Sequence, residues 1–270
     1  MKTILVPVDF SPASEAAVEV AAQIAKPIDA TVVLLHLVKF PKLTYTVIES
    51  AYYTKDEFSR NMVKDARMRL NYLIDEPRFE GVNFKIKIEA ASASLTDDII
   101  RRRADLIVMG STGASGWKEL TQGSNAEHVV RNSKRPVLVV KAPIDKFVPQ
   151  KVLFATDFNE TAFIDKSVGL LAAGQWTPYF VYVDTGMYRF DSNLLREKMA
   201  ALAHKLKLTD YDFTIYNAPT EEKGILGYAH EIEADLIVMH THARKGLEHF
   251  LLGSVTEDVV NHADIPVMSA

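Results

Sequence analysis

Short apolar runs alternate with longer amphipathic segments along the whole chain. Apolar or β-branched runs bounded by polar turns predict strands, and segments with apolar residues every three or four positions predict helices. The predicted strands lie at residues 4–8, 31–38, 83–90, 106–109 and 136–140, and then at residues 152–156, 178–183, 212–216, 236–239 and 265–268. The predicted helices of the first half lie at residues 11–25, 55–74, 95–103 and 124–132. Ser11 and Pro12 suit the N-cap and the first position of the first helix.

Two of the predicted strands, at residues 34–38 and 106–109, are apolar almost throughout. Strands of this kind are buried on both faces, which is typical of a parallel sheet covered by helices. The alternation of strands and helices therefore predicts right-handed βαβ units and a doubly wound, Rossmann-like α/β fold. In such folds a ligand binds beyond the carboxyl ends of the strands, where the strand order reverses.

The chain repeats itself. The segment 104–109, Ala-Asp-Leu-Ile-Val-Met, recurs unchanged at residues 234–239, and Gly123-Ser124 recurs at the same interval as Gly253-Ser254. Such a repeat in order indicates two homologous α/β domains in tandem, which we place at residues 1–145 and 146–270. The first half carries extra residues, which we place within residues 39–60.

A glycine loop follows the predicted strand at residues 106–109. Gly110 has no Cβ, which would let a ligand approach the strand end, and Gly113 can adopt a positive φ. Gly123 and Ser124 open the next predicted helix, whose N-terminus suits a phosphate group. Asp9, after the first strand, would lie in the same crevice. The alternative is that the glycines only form a tight turn between strand and helix.

Composition narrows the chemistry further. The 270 residues carry 35 acidic and 31 basic side chains, so the formal net charge is −4 and favours neither nucleic acid nor an anionic membrane as a partner. The chain has no cysteine, which excludes disulfides and thiolate chemistry. The apolar run at residues 4–8 is too short for a signal peptide, and no stretch approaches the length of a transmembrane helix. We therefore expect a cytoplasmic protein.

Three features together resemble the universal stress protein family. They are Gly110-x2-Gly113-x9-Gly123-Ser124, the opening Val6-Pro7-Val8-Asp9, and the closing segment 135–140, Arg-Pro-Val-Leu-Val-Val. The resemblance covers both halves and implies tandem adenine-nucleotide-hydrolase-like domains and bound ATP, alone or with Mg²⁺. It implies contacts to adenine from Pro7, Val8, Asp9 and Val38, to ribose and phosphates from Met109, Gly110, Thr112 and Gly113, and to the phosphate tail from Gly123, Ser124 and Asn125. Asn125 departs from the small β-branched residue often found there.

The second half departs more from the pattern. His240 and Ala243 stand where Gly110 and Gly113 stand in the first half. A histidine side chain would occupy space that the ribose or phosphate needs, and alanine is disfavoured at a positive φ. We therefore expect nucleotide binding in the first half only, with the second half as a structural partner. The strands that end each half, near residues 137–140 and 267–269, are expected to pair edge to edge, as in the family's usual dimer. A further pairing of two chains stays open.

Other chemistry receives less support from the sequence. One alternative is a transition-metal site formed by His240, His242 and His249. The opposing interpretation is that His242 takes the loop position of Thr112 while the other two histidines face solvent. His36 is interpreted as a core histidine with a hydrogen-bond partner. No residue is predicted to be catalytic, so ATP hydrolysis would be slow at most. The competing hypothesis is an interaction or scaffold protein of the same fold that acts through an unidentified protein partner.

Overall fold

In a computed structural model of the protein, the described residues form one ten-stranded sheet. The structure describes residues 1–39, 55–92, 94–111, 125–158, 161, 163, 164, 167, 171, 175–187, 191–240 and 252–270. With the strands numbered along the chain, the sheet order is β3-β2-β1-β4-β5-β10-β9-β6-β7-β8. Every neighbouring pair is parallel except β5 and β10, which are antiparallel. The predicted doubly wound α/β fold is confirmed in both halves.

The strands lie close to their predicted positions, because each buried run ends at polar turn residues. Their bounds are β1 Thr3–Pro7, β2 Thr31–Val38, β3 Asn83–Ala90, β4 Leu106–Gly110, β5 Val137–Val140, β6 Lys151–Ala155, β7 Thr177–Asp184, β8 Asp212–Asn217, β9 Leu236–Met239 and β10 Val267–Ser269.

The described helices cover both faces of the sheet. They are α1 Pro12–Ala25, α2 Lys55–Ile74, α3 Leu95–Ile100, α4 Asn125–Asn132, α5 Ser192–Leu206, α6 Glu221–Glu231 and α7 Leu252–His262, with 3₁₀ turns at Lys26–Ile28 and Pro77–Phe79. Residues 163, 164, 167 and 171 are also helical. Helix α3 ends three residues before its predicted end, because Arg101 caps it and the chain then turns toward β4. The Ser11 side chain caps α1 as predicted, accepting from the Ser14 N–H at 3.2 Å.

The strands contribute to two apolar cores on opposite faces of the sheet. Along β1, Ile4 and Val6 pack with residues of α1, α2 and α5 on one face, whereas Leu5 packs with residues of α3, α4, α6 and α7 on the other. This alternation follows from the two-residue period of a strand. Burial of both faces explains why these segments lack the polar alternation of a one-sided sheet.

The two halves meet where β5 and β10 pair. Leu138 lies opposite Met268 and Val139 lies opposite Val267, and all four side chains are buried. Beside this pair, Arg131 of α4 contacts Glu257 of α7, with Nε and Oε1 3.2 Å apart. The predicted edge-to-edge pairing of the two halves is therefore confirmed, and it makes one sheet of the whole chain.

The aspartate of the repeated segment has a structural role in each half. Asp105 Oδ2 accepts from the backbone N–H groups of Lys2 and Thr3, at 2.7 and 3.0 Å. Asp235 Oδ2 accepts from Gln150 and Lys151 in the same way, at 2.8 and 2.9 Å. Asp105 thus holds the start of β1 beside the start of β4, and Asp235 holds the start of β6 beside the start of β9.

We expect Asp105→Ala to lower the free energy of unfolding by about 1–2 kcal/mol at neutral pH, because two charge-assisted hydrogen bonds are lost at an exposed site. The hydrogen bond from the Lys2 N–H is the main reason that the pKa of Asp105 lies below its usual value. Burial opposes this effect, and the hydrogen bond from the Thr3 N–H adds to it. A lowered pKa stabilises the folded state above the unfolded pKa, so the contribution fades as pH falls below about 4. Urea unfolding of Asp105→Ala and of the unaltered chain at pH 7 and pH 3 measures this loss of unfolding free energy. An equal loss at both values would contradict the role of the charge.

Candidate functional site

A crevice opens at the carboxyl ends of β1, β2 and β4, where the order of the first half reverses. Its cavity measures about 140 Å³. The residues that line it are Pro7, Val8, Asp9, Ser11, Ser14, Leu35, His36, Leu37, Leu95, Ile99, Met109, Gly110 and Asn125. Helix α3 supplies one wall through Leu95 and Ile99, and the first residue of α4 lies at the edge.

Six of the predicted nucleotide contacts line this crevice. They are Pro7, Val8, Asp9, Met109, Gly110 and Asn125. Val38 is not among the lining residues, since its side chain is buried and its neighbours Leu37 and His36 line the cavity instead. The remaining predicted contacts, Thr112, Gly113, Gly123 and Ser124, lie outside the described residues. The structure thus places Met109 and Gly110, at the start of the glycine loop, in the same crevice as Asn125, which follows Ser124 at the end of the loop.

Asp9 occupies the end of β1 and is partly committed to the turn. Its Oδ1 accepts from the backbone N–H of Ser11 at 2.9 Å. Burial would raise the pKa of Asp9, but hydrogen bonds from Ser11 and Ser14 outweigh it and hold the pKa below its usual value. Asp9 is therefore a carboxylate at neutral pH, and it can act only as an acceptor toward a ligand hydroxyl or amino group.

His36 is a lining residue that the sequence interpretation missed. The predicted hydrogen-bond partner exists, because Nδ1 donates to the carbonyl oxygen of Val8 at 2.7 Å. The ring is only half-buried and faces the crevice, however, so its placement in the core was wrong. Its position at the end of β2 could have signalled this, since the carboxyl ends of strands border the ligand site in this fold.

The turn after Asp9 holds a strained backbone. Phe10 has φ of 65°, and the corresponding Phe158 in the second half has φ of 63°. The left-handed region costs a residue with a side chain roughly 1–2 kcal/mol, and such strain is concentrated at functional sites. The Phe10 ring is held by contacts to His36, with ring centroids 4.7 Å apart, and to the Arg69 guanidinium, 3.8 Å from the ring centroid.

Gly110 has a structural role that the sequence did not predict. A Cβ built on Gly110 would lie 2.3 Å from the backbone carbon and oxygen of Ala13 and 2.6 Å from the Ser14 nitrogen. Glycine is therefore required at this position because α1 packs directly on the end of β4, whatever ligand is present. The proposed close approach of a ligand is not the reason that the structure gives, although Gly110 does line the crevice.

The second half retains a crevice in the corresponding place. It measures about 150 Å³ and is lined by Ala155, Thr156, Asp157, Phe163, Val181, Tyr182, Val183, Glu221, Ile225, Met239, His240, Val255 and Thr256. The His240 ring stacks on Phe163, with centroids 5.3 Å apart, and its Nδ1 donates to the backbone oxygen of Ala270 at 2.8 Å. His240 thus lines the second crevice, and the expectation that its side chain takes space needed by a ribose or phosphate stays a prediction.

The metal hypothesis gains no support from the described part of the chain. Among the described residues no group of three or more histidine, aspartate or glutamate side chains is placed to hold a metal ion. His242, His249 and Ala243 lie outside the described residues, so the loop they belong to stays a prediction. None of the described helices is long and apolar enough to cross a membrane.

The comparisons with known proteins agree with this architecture. A model of the universal stress protein family matches residues 1–141 and 149–269. The chain belongs to the universal stress protein family. It contains the family domain twice, and the repeat recognised in the sequence is the repeat of that domain.

Individual relatives of both sizes are similar to the chain. A universal stress protein of Mycolicibacterium smegmatis is 26% identical over 98% of this chain and 95% of its own length. A universal stress protein of Methanocaldococcus jannaschii is 33% identical over 53% of this chain and 83% of its own length. The crystal structure of a universal stress protein from Archaeoglobus fulgidus has a TM-score of 0.70 at 20% identity, covering 99% of this chain and 95% of that one. The tandem universal stress protein fold therefore extends over the whole chain.

Proposed function

We propose that this tandem universal stress protein binds ATP in the first-half crevice and acts as a nucleotide-dependent regulator in the stress response. Some members of the family bind nucleotides. The observation that supports the proposal for this chain is the meeting of Asp9, Met109, Gly110 and Asn125 in one crevice. Met109 and Gly110 stand at the start of the glycine pattern that the family resemblance links to ATP, and Asn125 directly follows its end. We also place the division between the two domains at residue 145, within the segment that joins β5 to β6.

The chemistry of the crevice fits an adenine nucleotide in two respects. Its inner part is apolar, with Leu37, Ile99 and Met109 available to pack against a base. An adjoining polar pocket, which shares Leu95 and Asn125 with the crevice, adds the ammonium group of Lys39 and the hydroxyl groups of Ser92, Ser94 and Thr96. A cation and several hydrogen-bond donors beside an apolar slot suit the negatively charged tail of a nucleotide. Thr112, Gly113, Gly123 and Ser124 would complete the phosphate contacts, with Mg²⁺ carried by the phosphates.

A second candidate function is an interaction or scaffold protein of the same fold. The observation that favours it is the packing of α1 against Gly110, because a glycine that the fold itself requires is no evidence for a ligand. On this hypothesis the other glycines of the loop would also serve the architecture, and an unidentified protein partner would carry the signal. The two candidates differ in whether ATP binds.

Two matched tryptophan variants test the proposal. Asn125 is exposed at the start of α4, and Val255 is its counterpart in the second half. We expect Asn125→Trp to weaken ATP binding at least tenfold by closing the first crevice, a change of about 1.4 kcal/mol. Val255→Trp is expected to leave ATP binding unchanged. Isothermal titration calorimetry measures both. No ATP binding by the unaltered chain would favour the scaffold hypothesis, and equal losses in the two variants would contradict the placement of the site.

A further inference from the structure

The two crevices correspond residue by residue in the backbone but differ in charge. Thr3 pairs with Thr31 at the start of β1 and β2, and Lys151 pairs with Thr177 at the start of β6 and β7, so the register is the same in both halves. Strand β2 ends at Val38 and is followed by Lys39, whereas β7 ends in the matching place at Asp184 and is followed by Thr185. One carboxylate has thus been added and one ammonium group removed.

A third difference lies on the helix wall. Leu95 is the first residue of α3, after the N-cap Ser94, and Glu221 is the first residue of α6, after the N-cap Thr220. Both line their crevices. Glu221 makes the lining of the second crevice more negative than that of the first, and Asp184 and the loss of the lysine do the same beside it. A negative crevice repels the phosphate groups of a nucleotide and attracts a cation.

The carboxylates in and beside the second crevice act on Tyr182, which lies on its wall. Burial first, and then the carboxylates of Asp184, Asp157 and Glu221, raises the pKa of the Tyr182 hydroxyl. The three carboxylates therefore act together on one point of the crevice rather than dispersing over the surface. None of the described residues that line it is a lysine or an arginine.

The lining of the second crevice also includes aromatic residues. Phe163 and His240 are stacked at an interplanar angle of 18°, and both border the cavity with Tyr182. Aromatic faces attract cations as well as planar apolar groups, because the ring quadrupole is negative above the plane. The left-handed turn at Phe158 is kept in this half together with the cavity, although its backbone is strained.

We propose that the second-half crevice binds a small organic cation with a planar apolar body, such as an aromatic amidinium or ammonium compound. The planar body would lie against the rings of His240 and Tyr182, and the cationic group would face Asp157 and Glu221. The first crevice would take the nucleotide and the second the cation, so the two halves would have different ligands. This inference does not depend on ATP binding in the first half.

Benzamidine and its neutral analogue benzamide are the probes that test the proposal, with binding to the full chain followed by calorimetry. We expect one benzamidine per chain and at least tenfold weaker binding of benzamide. Glu221→Gln and Val255→Trp are each expected to weaken benzamidine binding at least tenfold. The control Glu222→Gln changes the next residue of α6, whose carboxylate contacts His262 at 2.7 Å, and it should leave binding unchanged.

Two outcomes would overturn the proposal. The first is that benzamidine binds no more tightly than benzamide, and the second is that Asn125→Trp, rather than Val255→Trp, abolishes its binding. An ATP titration of the same preparations keeps the two proposals separate. ATP binding without benzamidine binding would remove only the second-half site, and the reverse result would remove only the nucleotide site.

Discussion

Gly110→Ala is expected to lower the free energy of unfolding by about 3 kcal/mol or more. The added Cβ would lie 2.3 Å from two backbone atoms of Ala13, and backbone cannot move aside as a flexible side chain can. Helix α1 would have to shift away from β4. That shift would disrupt the packing of the buried residues of α1, such as Ala16, Ala17 and Val20. Overpacking of a dense interior typically costs about 1–3 kcal/mol, and a clash with backbone lies at the upper end. Equilibrium unfolding in urea measures the change.

Gly227→Ala is the matched control for this prediction. Gly227 lies inside α6, and its added Cβ would come no closer than 3.3 Å, to the hydroxyl of Tyr216 at the far end of that side chain. Alanine also has the higher helix propensity, by about 1 kcal/mol, so we expect a change within about 1 kcal/mol of zero. Equal stability losses for Gly110→Ala and Gly227→Ala would contradict the special role of position 110. If Gly110→Ala kept full stability, the contact between α1 and β4 would be wrong.

Phe154→Ala is expected to cost about 4 kcal/mol. Phe154 is fully buried in β6, and its ring stacks on Phe180 with centroids 5.1 Å apart and contacts Trp176 at 5.9 Å. Removing a buried aromatic side chain loses its transfer free energy and leaves a cavity, which together cost about 3–5 kcal/mol. Because β5 and β10 join the halves into one sheet, we expect a single unfolding transition that moves as a whole.

Circular dichroism and tryptophan fluorescence follow the Phe154→Ala transition with different probes. Far-ultraviolet circular dichroism reports on all helices, whereas tryptophan fluorescence, measured in a Trp117→Phe background that keeps only Trp176, reports on the second half. Coincident curves at a lower midpoint are the expected result. Phe154→Leu serves as the control and should cost clearly less, because leucine fills most of the cavity. Two separated transitions would contradict the coupling of the halves through the sheet.

The fold could be predicted because its determinants are local or repeated. Buried strands such as Leu106–Gly110 can be recognised in the sequence as apolar runs. The recurrence of the segment 104–109 at 234–239 indicated the two domains. The pairing of β5 with β10 also followed from the sequence, because each half ends in an apolar strand. The reason for the aspartate in the repeated segment did not, since its partners Lys2 and Thr3 lie about a hundred residues away.

The site was less predictable, because its geometry depends on how elements pack. Gly110 resembles a ligand-binding glycine in the sequence, yet the distance from α1 to β4 decides its role, and no local pattern encodes that distance. His36 was assigned to the core because its neighbours are apolar, whereas its position on the strand turns it toward the crevice. The sequence placed His240 at the crevice of the second half, but its stacking on Phe163 depends on a residue from a distant part of the chain.

Equilibrium dialysis of the full chain against saturating ATP tests the central claim most directly, which is that one adenine nucleotide binds in the first half. The predicted result is about one ATP per chain, with at least tenfold weaker binding in Asn125→Trp and unchanged binding in Val255→Trp. No bound ATP would contradict the nucleotide function and favour a scaffold. Two ATP molecules per chain would contradict the assignment of a different ligand to the second crevice.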